Sequence, residues 1–304
     1  MSTTSPDVAP NPRVPPHGAA ILKLVEDQVA LGPRVPGSQA HATLGRMLRE
    51  RLEASGAEVT VQEFSLVFRG RELACRNVVG AFRSRHPRAG PLLLGTHYDC
   101  RFRADREPDA SRREEPIPGA NDGGSGTAVF LHMLPGLAAE DLARDVLVAF
   151  VDAEDLGAID GLEFALGSEW LAAHPLPGLA PSEAVVLDMV GGRDMVLDID
   201  AHILSSEGSR RLTSELFRLG MDRGWAPFAR DKKDRLKYIV SDHTPFARRR
   251  IPSCILIDID YPEWHTQSDL PGAMSADSLA VIEEALWLFL RGSTRPGPRS
   301  SPAS

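Results

Sequence analysis

The sequence predicts an α/β fold, a three-layer α/β/α sandwich around a mixed, mainly parallel central sheet. Three observations carry this. Apolar runs of strand length, PLLLGT at 91–96, LVAFV at 147–151, AVVL at 184–187 and SCILIDI at 253–259, are continuous rather than alternating, as in strands buried on both faces. Stretches with apolar residues at helical spacing stand between and around them. Each run also leads into His, Asp or Glu, and open α/β sheets bind ligands in the crevice beyond the strand carboxyl ends.

Bulk properties narrow the field. A chain of 304 residues with 42% hydrophobic content can bury a substantial core. The net charge of -8 argues against a nucleic-acid partner, which clustered Lys and Arg would be needed to hold, and the run Arg248–Arg250 reads as a solvated helix end. Three cysteines, Cys75, Cys100 and Cys254, make neither a CxxC pair nor a disulfide framework, which suits a reducing compartment. The first twenty residues lack a basic stretch followed by an apolar core, and no window approaches the ~18 apolar residues of a membrane helix. A cytoplasmic protein with no membrane partner is the expectation, with export left open should the start site be misplaced.

In order, residues 1–17 and 292–304 are rich in Pro and small polar residues and read as disordered tails around a single domain, 18–291. Helices are expected over 19–30 and 41–55, the second ending at Gly56, and the alternating AEVTVQEF and CRNVVGAF form neighbouring strands. The strand at 91–96 delivers His97, Tyr98 and Asp99. A charged stretch, 101–116, reads as a surface loop bordering a site. Asp122 then precedes a helix start rich in glycine. The strand at 147–151 ends in Asp152, Glu154 and Asp155, a helix is expected over 167–174, and the strand at 184–192 delivers Asp188. RDMVLDID (193–200) reads as one further strand and Glu207–Arg223 as a helix. Another helix starts at Asp242 and His243, the strand 253–259 leads to Glu263, Trp264 and His265, and an amphipathic helix over 276–290 covers the sheet.

His97, Asp122, Glu154, Asp155, Asp188 and His265 are far apart in sequence, yet each falls at a predicted strand end or the loop after it. Imidazole and carboxylate without cysteine suit Zn²⁺ with a position left open for water or substrate. Other chemistries lack their signals: no GxSxG elbow, no HExxH, no GxxxxGK loop, and GGSG alone is a feeble dinucleotide mark. Cys100 is a poor nucleophile, because neighbouring Asp99 disfavours its thiolate.

HYD at 97–99, GANDGGSG at 119–126, AED at 153–155, LDMVG at 187–191, SDHTPF at 241–246 and WHT at 264–266 resemble, in order, the motifs of the zinc aminopeptidase superfamily that also contains the animal-type glutaminyl cyclases. For two-zinc aminopeptidases the resemblance implies His97 and Asp188 on one metal, Asp155 and His265 on the other, Asp122 bridging, and Glu154 as general base. For the cyclases it implies one zinc on Asp122, Asp155 and His265, with Glu154 as acid/base, Asp188 and Asp242 hydrogen-bonding around it, and His97 and Asp99 in outer positions. GPRVPGSQAH near the N-terminus, SDHTPFARRRIP, and Trp264 directly before His265 are more similar to the cyclases, with Trp264 a wall for a glutamine side chain. Where these families commonly have Glu-Glu, this chain has Glu154-Asp155. The cyclase reading implies ring closure of N-terminal glutamine with release of ammonia and peptide or protein N-termini as substrates. The alternatives are hydrolysis of N-terminal residues and a metal-binding domain without catalysis.

Overall fold

A computed structural model describes residues 14–229 and 235–292, so most of both predicted tails lies outside the described residues. Residues 14–17 lead straight into the first helix, where the His17 ring stacks on His132 with centroids 5.4 Å apart.

Helix α1 (Gly18–Val29) buries Ile21 and Val25, one turn apart. Helix α2 (Gln39–Ala54) starts where the Ser38 side chain accepts the His41 N–H at 3.1 Å, and buries Leu44, Leu48 and Leu52 at the same spacing. Strands β1 (Glu58–Phe68) and β2 (Arg71–Phe82) form a hairpin longer than the alternating segments predict. Next come β3 (Leu92–His97), α3 (Gly124–Ala139), β4 (Val146–Val151), α4 (Leu166–Ala173) and β5 (Glu183–Leu187). The chain closes with β6 (Ile199–Asp200), α5 (Glu207–Asp222), β7 (Leu236–Lys237), α6 (Thr244–Arg248), β8 (Ser253–Leu256) and α7 (Ala276–Gly292).

The main sheet runs β1-β2-β4-β3-β5-β8. Its β4-β3-β5-β8 part is parallel and the β1-β2 hairpin joins antiparallel to β4, so it is mixed and mainly parallel as predicted. The continuous apolar runs divide between two faces. Leu92 and Leu94 of β3, with Val146, Val148 and Phe150 of β4, enter the larger core beneath α1, α2, α3, α5 and α7. Leu93, Leu147, Ala149 and Val151 face the smaller core under α4 and α6. The sandwich is therefore asymmetric. Among the described residues, no helix is long and apolar enough to cross a membrane.

Three expectations need correction. The strand expected over 184–192 ends at Leu187, as β5. RDMVLDID is not a full strand: Met195 and Leu197 are buried, but the Val196 N–H donates to Asp258 Oδ2 at 3.2 Å and the Asp198 N–H to the Ile257 carbonyl at 2.8 Å. Only Ile199–Asp200 pair, with β7, in a separate two-stranded sheet. Strand β8 stops at Leu256 rather than Ile259, because its partner β5 ends opposite it at Leu187.

Candidate metal centre and active site

Parallel pairing of β3 with β4 places His97 opposite Val151, so the segments that leave these strands emerge side by side. Asp99 uses this proximity: its carboxylate accepts the N–H groups of Glu154 (3.3 Å) and Asp155 (3.1 Å). The turn bearing those two acids passes through Ala153 in the left-handed region, φ 56°. Asp152 steadies it from behind, accepting the N–H groups of Ala153 and Arg76, each at 2.7 Å, and the Tyr98 hydroxyl at 3.2 Å. His41 Nε2 of α2 lies 2.8 Å from the same carboxylate. Asp99, Asp152, Tyr98 and His41 are all buried. Asp152 thus shapes the turn and leaves the open site to Glu154 and Asp155.

Asp122 is held by its backbone. Its N–H and that of Asn121 donate to the buried Asp269 carboxylate at 3.1 and 2.9 Å, while Asn121 Oδ1 accepts the Gly191 N–H at 2.8 Å and so joins this loop to the one after β5. Gly123 follows at φ 77°, where a Cβ would lie 2.2 Å from the Asp99 carbonyl, so only glycine fits. Asp188, one residue past β5, accepts the Ser241 hydroxyl at 2.9 Å. Asp242 accepts the Ser168 hydroxyl at 2.7 Å with one oxygen, and its other buried oxygen has no partner.

The structure brings the candidate ligands together as two triads that share Asp122. In one, His97 Nε2 lies 3.3 Å from Asp122 Oδ1 and 3.4 Å from Asp188 Oδ1. In the other, His265 Nε2 lies 3.6 Å from Asp122 Oδ2 and 3.3 Å from Asp155 Oδ1. Ligands at ~2.0–2.1 Å around a tetrahedral ion stand roughly 3.3 Å from one another, so both sets fit zinc in donor type and spacing. The buried oxygens Asp122 Oδ2 and Asp155 Oδ2 have no hydrogen-bond partner, which also points to a cation as their complement.

Without a cation, these crowded acids and imidazoles shift one another. Burial, with Asp242, Asp188 and Asp155 nearby, raises Glu154 well above the usual carboxyl range, although His97 opposes it. Burial likewise pushes Asp242 up to about 7. Burial alone would lower His265, but Asp155, Asp105 and Asp122 outweigh it and bring it to about 9.

Above the carboxylates is a pocket of about 250 Å³ with apolar walls that include Phe164, Met189, Ile239, Ile257, Ile259 and Trp264. The Trp264 ring packs against His265 at 4.4 Å between centroids, and the Arg106 guanidinium sits 3.8 Å over its outer face. A larger hollow of about 400 Å³ near Trp225 and Asp277 contains none of the candidate residues. Burial pushes the Cys100 thiol up to about 12, in keeping with its rejection as a nucleophile.

Several contributors escape sequence reasoning. The segment 101–116 is not simply a surface loop: Arg101, Ala104 and Glu107 are buried, while Asp105, Arg106 and residues 108–115 are exposed. Arg101 is drawn inward by Asp155 and by the Asp155 and Gly157 carbonyls, and Asp105 reaches His265 Nδ1 at 3.1 Å. Ser168 and Asp269 carry no signal, being single polar residues in ordinary helix and turn sequence, and Ser241 carries one only as the first residue of SDHTPF. His41 and Arg34 do carry one, the GPRVPGSQAH segment. Arg34 is fully buried and its guanidinium donates to the Pro118 and Gly119 carbonyls just ahead of Asp122.

Comparison with known proteins follows the same pattern. The sequence profile of Peptidase family M28 matches residues 77–290. No curated protein matches the chain by sequence. Among solved structures, Tannerella forsythia glutaminyl cyclase aligns with a TM-score of 0.81 and 29% identity, over 90% of this chain and 97% of that one. A Zn-dependent exopeptidase from Parabacteroides distasonis aligns with a TM-score of 0.83 and 27% identity, over 93% and 100%. A leucine aminopeptidase precursor from Bacteroides thetaiotaomicron aligns with 0.82 and 26%, over 92% and 99%.

Proposed function

The chain belongs to peptidase family M28, and from that premise we propose that it is a zinc-dependent glutaminyl-peptide cyclotransferase acting on peptide or protein N-termini. Similarity to the Tannerella forsythia glutaminyl cyclase supports this reading. The observation that carries it is Asp242, a buried acid with an unpartnered oxygen that lies close enough to Glu154 to act on it electrostatically and belongs to neither metal triad.

In the reaction, the α-amine nitrogen of an N-terminal glutamine bonds to its own side-chain amide carbon. The bond from that carbon to the amide nitrogen breaks, and ammonia leaves. Glu154 takes the proton released by the amine and passes it to the departing nitrogen, so no proton need enter from solvent. Burial, with Asp242 and Asp188 nearby, keeps Glu154 basic enough to hold that proton between the two steps. Asp122, Asp155 and His265 would hold the zinc, which when bound supplies a Lewis acid for the reacting carbonyl. Trp264 and Phe164 wall the glutamine side chain and keep bulk water from it.

Aminopeptidase hydrolysis is the second reading, favoured by one observation: the His97–Asp122–Asp188 triad is complete and fits a second ion. Incubating the zinc-loaded protein with a Gln-initiated and a Leu-initiated peptide and following product masses tests both. The cyclase reading expects ammonia loss from the first and an intact second. Release of free leucine would overturn it.

A further inference from the structure

The triad of Asp122, Asp155 and His265 is backed by a closed ring of side chains. Arg101 is 2% exposed, and its Nε and Nη2 donate to the two oxygens of Asp105 at 2.9 and 2.7 Å. Its Nη1 donates to the Asp155 carbonyl and the Gly157 carbonyl, each at 3.0 Å, and to Asp155 Oδ1 at 3.3 Å. Asp105 Oδ1 in turn meets His265 Nδ1 at 3.1 Å, while His265 Nε2 faces Asp155 Oδ1 at 3.3 Å and closes the ring. The loop that carries Arg101 and Asp105 is itself pinned. The Ile117 N–H donates to the Arg101 carbonyl at 3.2 Å, the Ala104 N–H to the Glu115 carbonyl at 2.8 Å, and the Arg106 N–H to the His265 carbonyl at 3.2 Å.

Two features make this more than a structural ion pair. His265 lies outside every strand and holds a left-handed backbone, φ 58°, so no sheet ladder fixes its ring. A carboxylate on Nδ1 fixes the tautomer that leaves Nε2 free to ligate, and a bidentate guanidinium fixes that carboxylate. The same guanidinium grips both the carbonyl and the side chain of Asp155, so one residue sets the orientation of two ligands.

We propose that Arg101 and Asp105 are a positioning pair that holds Asp155 and His265 in register as ligands of one metal ion. Neither touches substrate. The proposal rests on the reading that this triad binds zinc, but not on the reaction that the enzyme performs.

Zinc affinity, measured by competition with a chromophoric chelator, tests the pair on the full chain and on Asp105→Asn, Arg101→Gln and Arg101→Lys. Asp105→Asn and Arg101→Gln are expected to weaken zinc binding by roughly 10- to 100-fold, with Arg101→Lys recovering part of the loss. The cobalt-substituted proteins add a readout that a merely structural role would not move: the visible absorption bands of Asp105→Asn should differ from wild type in position or intensity. Melting of the metal-free proteins identifies any variant that fails to fold. Should Arg101→Gln do so, Asp105→Asn and Arg101→Lys decide the matter. Zinc affinity within twofold of wild type, together with unchanged cobalt spectra, would overturn the proposal even if melting temperatures fell. Wild-type protein that binds zinc yet leaves a Gln-initiated peptide intact would instead overturn the cyclase reading and leave the pair standing.

Discussion

The two halves of the candidate metal centre reach similar side-chain spacings by different means. His97 is the last residue of a central strand and Asp188 follows the neighbouring one, so hydrogen-bonded ladders place both. Their side chains are lightly braced. His97 Nδ1 has no hydrogen-bond partner, its closest carboxylate being Asp99 at 3.4 Å, and Asp188 has a single hydroxyl. The other half inverts this. Asp155 and His265 stand on turns, the latter nine residues past the end of β8, and ionic contacts with buried Arg101 and partly exposed Asp105 do what the ladder does elsewhere. Where backbone pairing ends, charge and bidentate geometry must supply the rigidity, and this is the half in which both imidazole nitrogens are committed.

That contrast can be broken experimentally. The largest effect is expected from metal removal: chelation should abolish turnover, and one equivalent of zinc should restore it. A requirement for two equivalents would erase the difference between the halves. Next, Glu154→Gln should reduce turnover by about 10²- to 10⁴-fold with zinc affinity unchanged, because the proposed reaction gives it the proton transfer and it lies in neither triad. Parallel loss of zinc would make it a ligand instead. His265→Ala should weaken zinc binding by roughly 100-fold or more, whereas His97→Ala should cost less than about tenfold, read by the same chelator competition; equal losses would mean that both halves hold metal alike.

The smallest effect concerns pH. In the metal-free protein Asp242 is raised to about 7 and His265 to about 9. Both lie above their unfolded values of ~3.9 and ~6.5, so the folded state binds more protons across these windows. The stability they contribute is full below the unfolded pKa and lost as pH rises through the folded one. Melting temperature of the metal-free protein should therefore fall by a few degrees between about pH 4 and 9, and less with zinc bound. A rise over that range would contradict the charge arrangement described.

The contrast also explains what was legible in the sequence. Strand ends advertise themselves: an apolar run followed by His97, by Glu154 and Asp155, or by Asp188 marks both the element and its cargo. Asp122, with Gly123 beside it, is legible because close backbone approach demands glycine. Arg101 and Asp105 were not, since a charged stretch rich in Arg, Asp and Glu has the composition of solvent-exposed loop. Only the position of Asp155 shows that one of those arginines must be buried. RDMVLDID misled for the opposite reason, because Met195 and Leu197 are buried without a strand partner.

The brackets around Arg34 and His41 have a further consequence. The match to the family begins at residue 77, in the middle of β2. Yet His41 abuts the carboxylate that shapes the Glu154 turn, and Arg34 clasps the loop before Asp122. The region recognisable by descent and the region that must fold together are thus different intervals of the chain. A protein trimmed to the former would keep every candidate ligand and still leave Asp152 facing an empty wall.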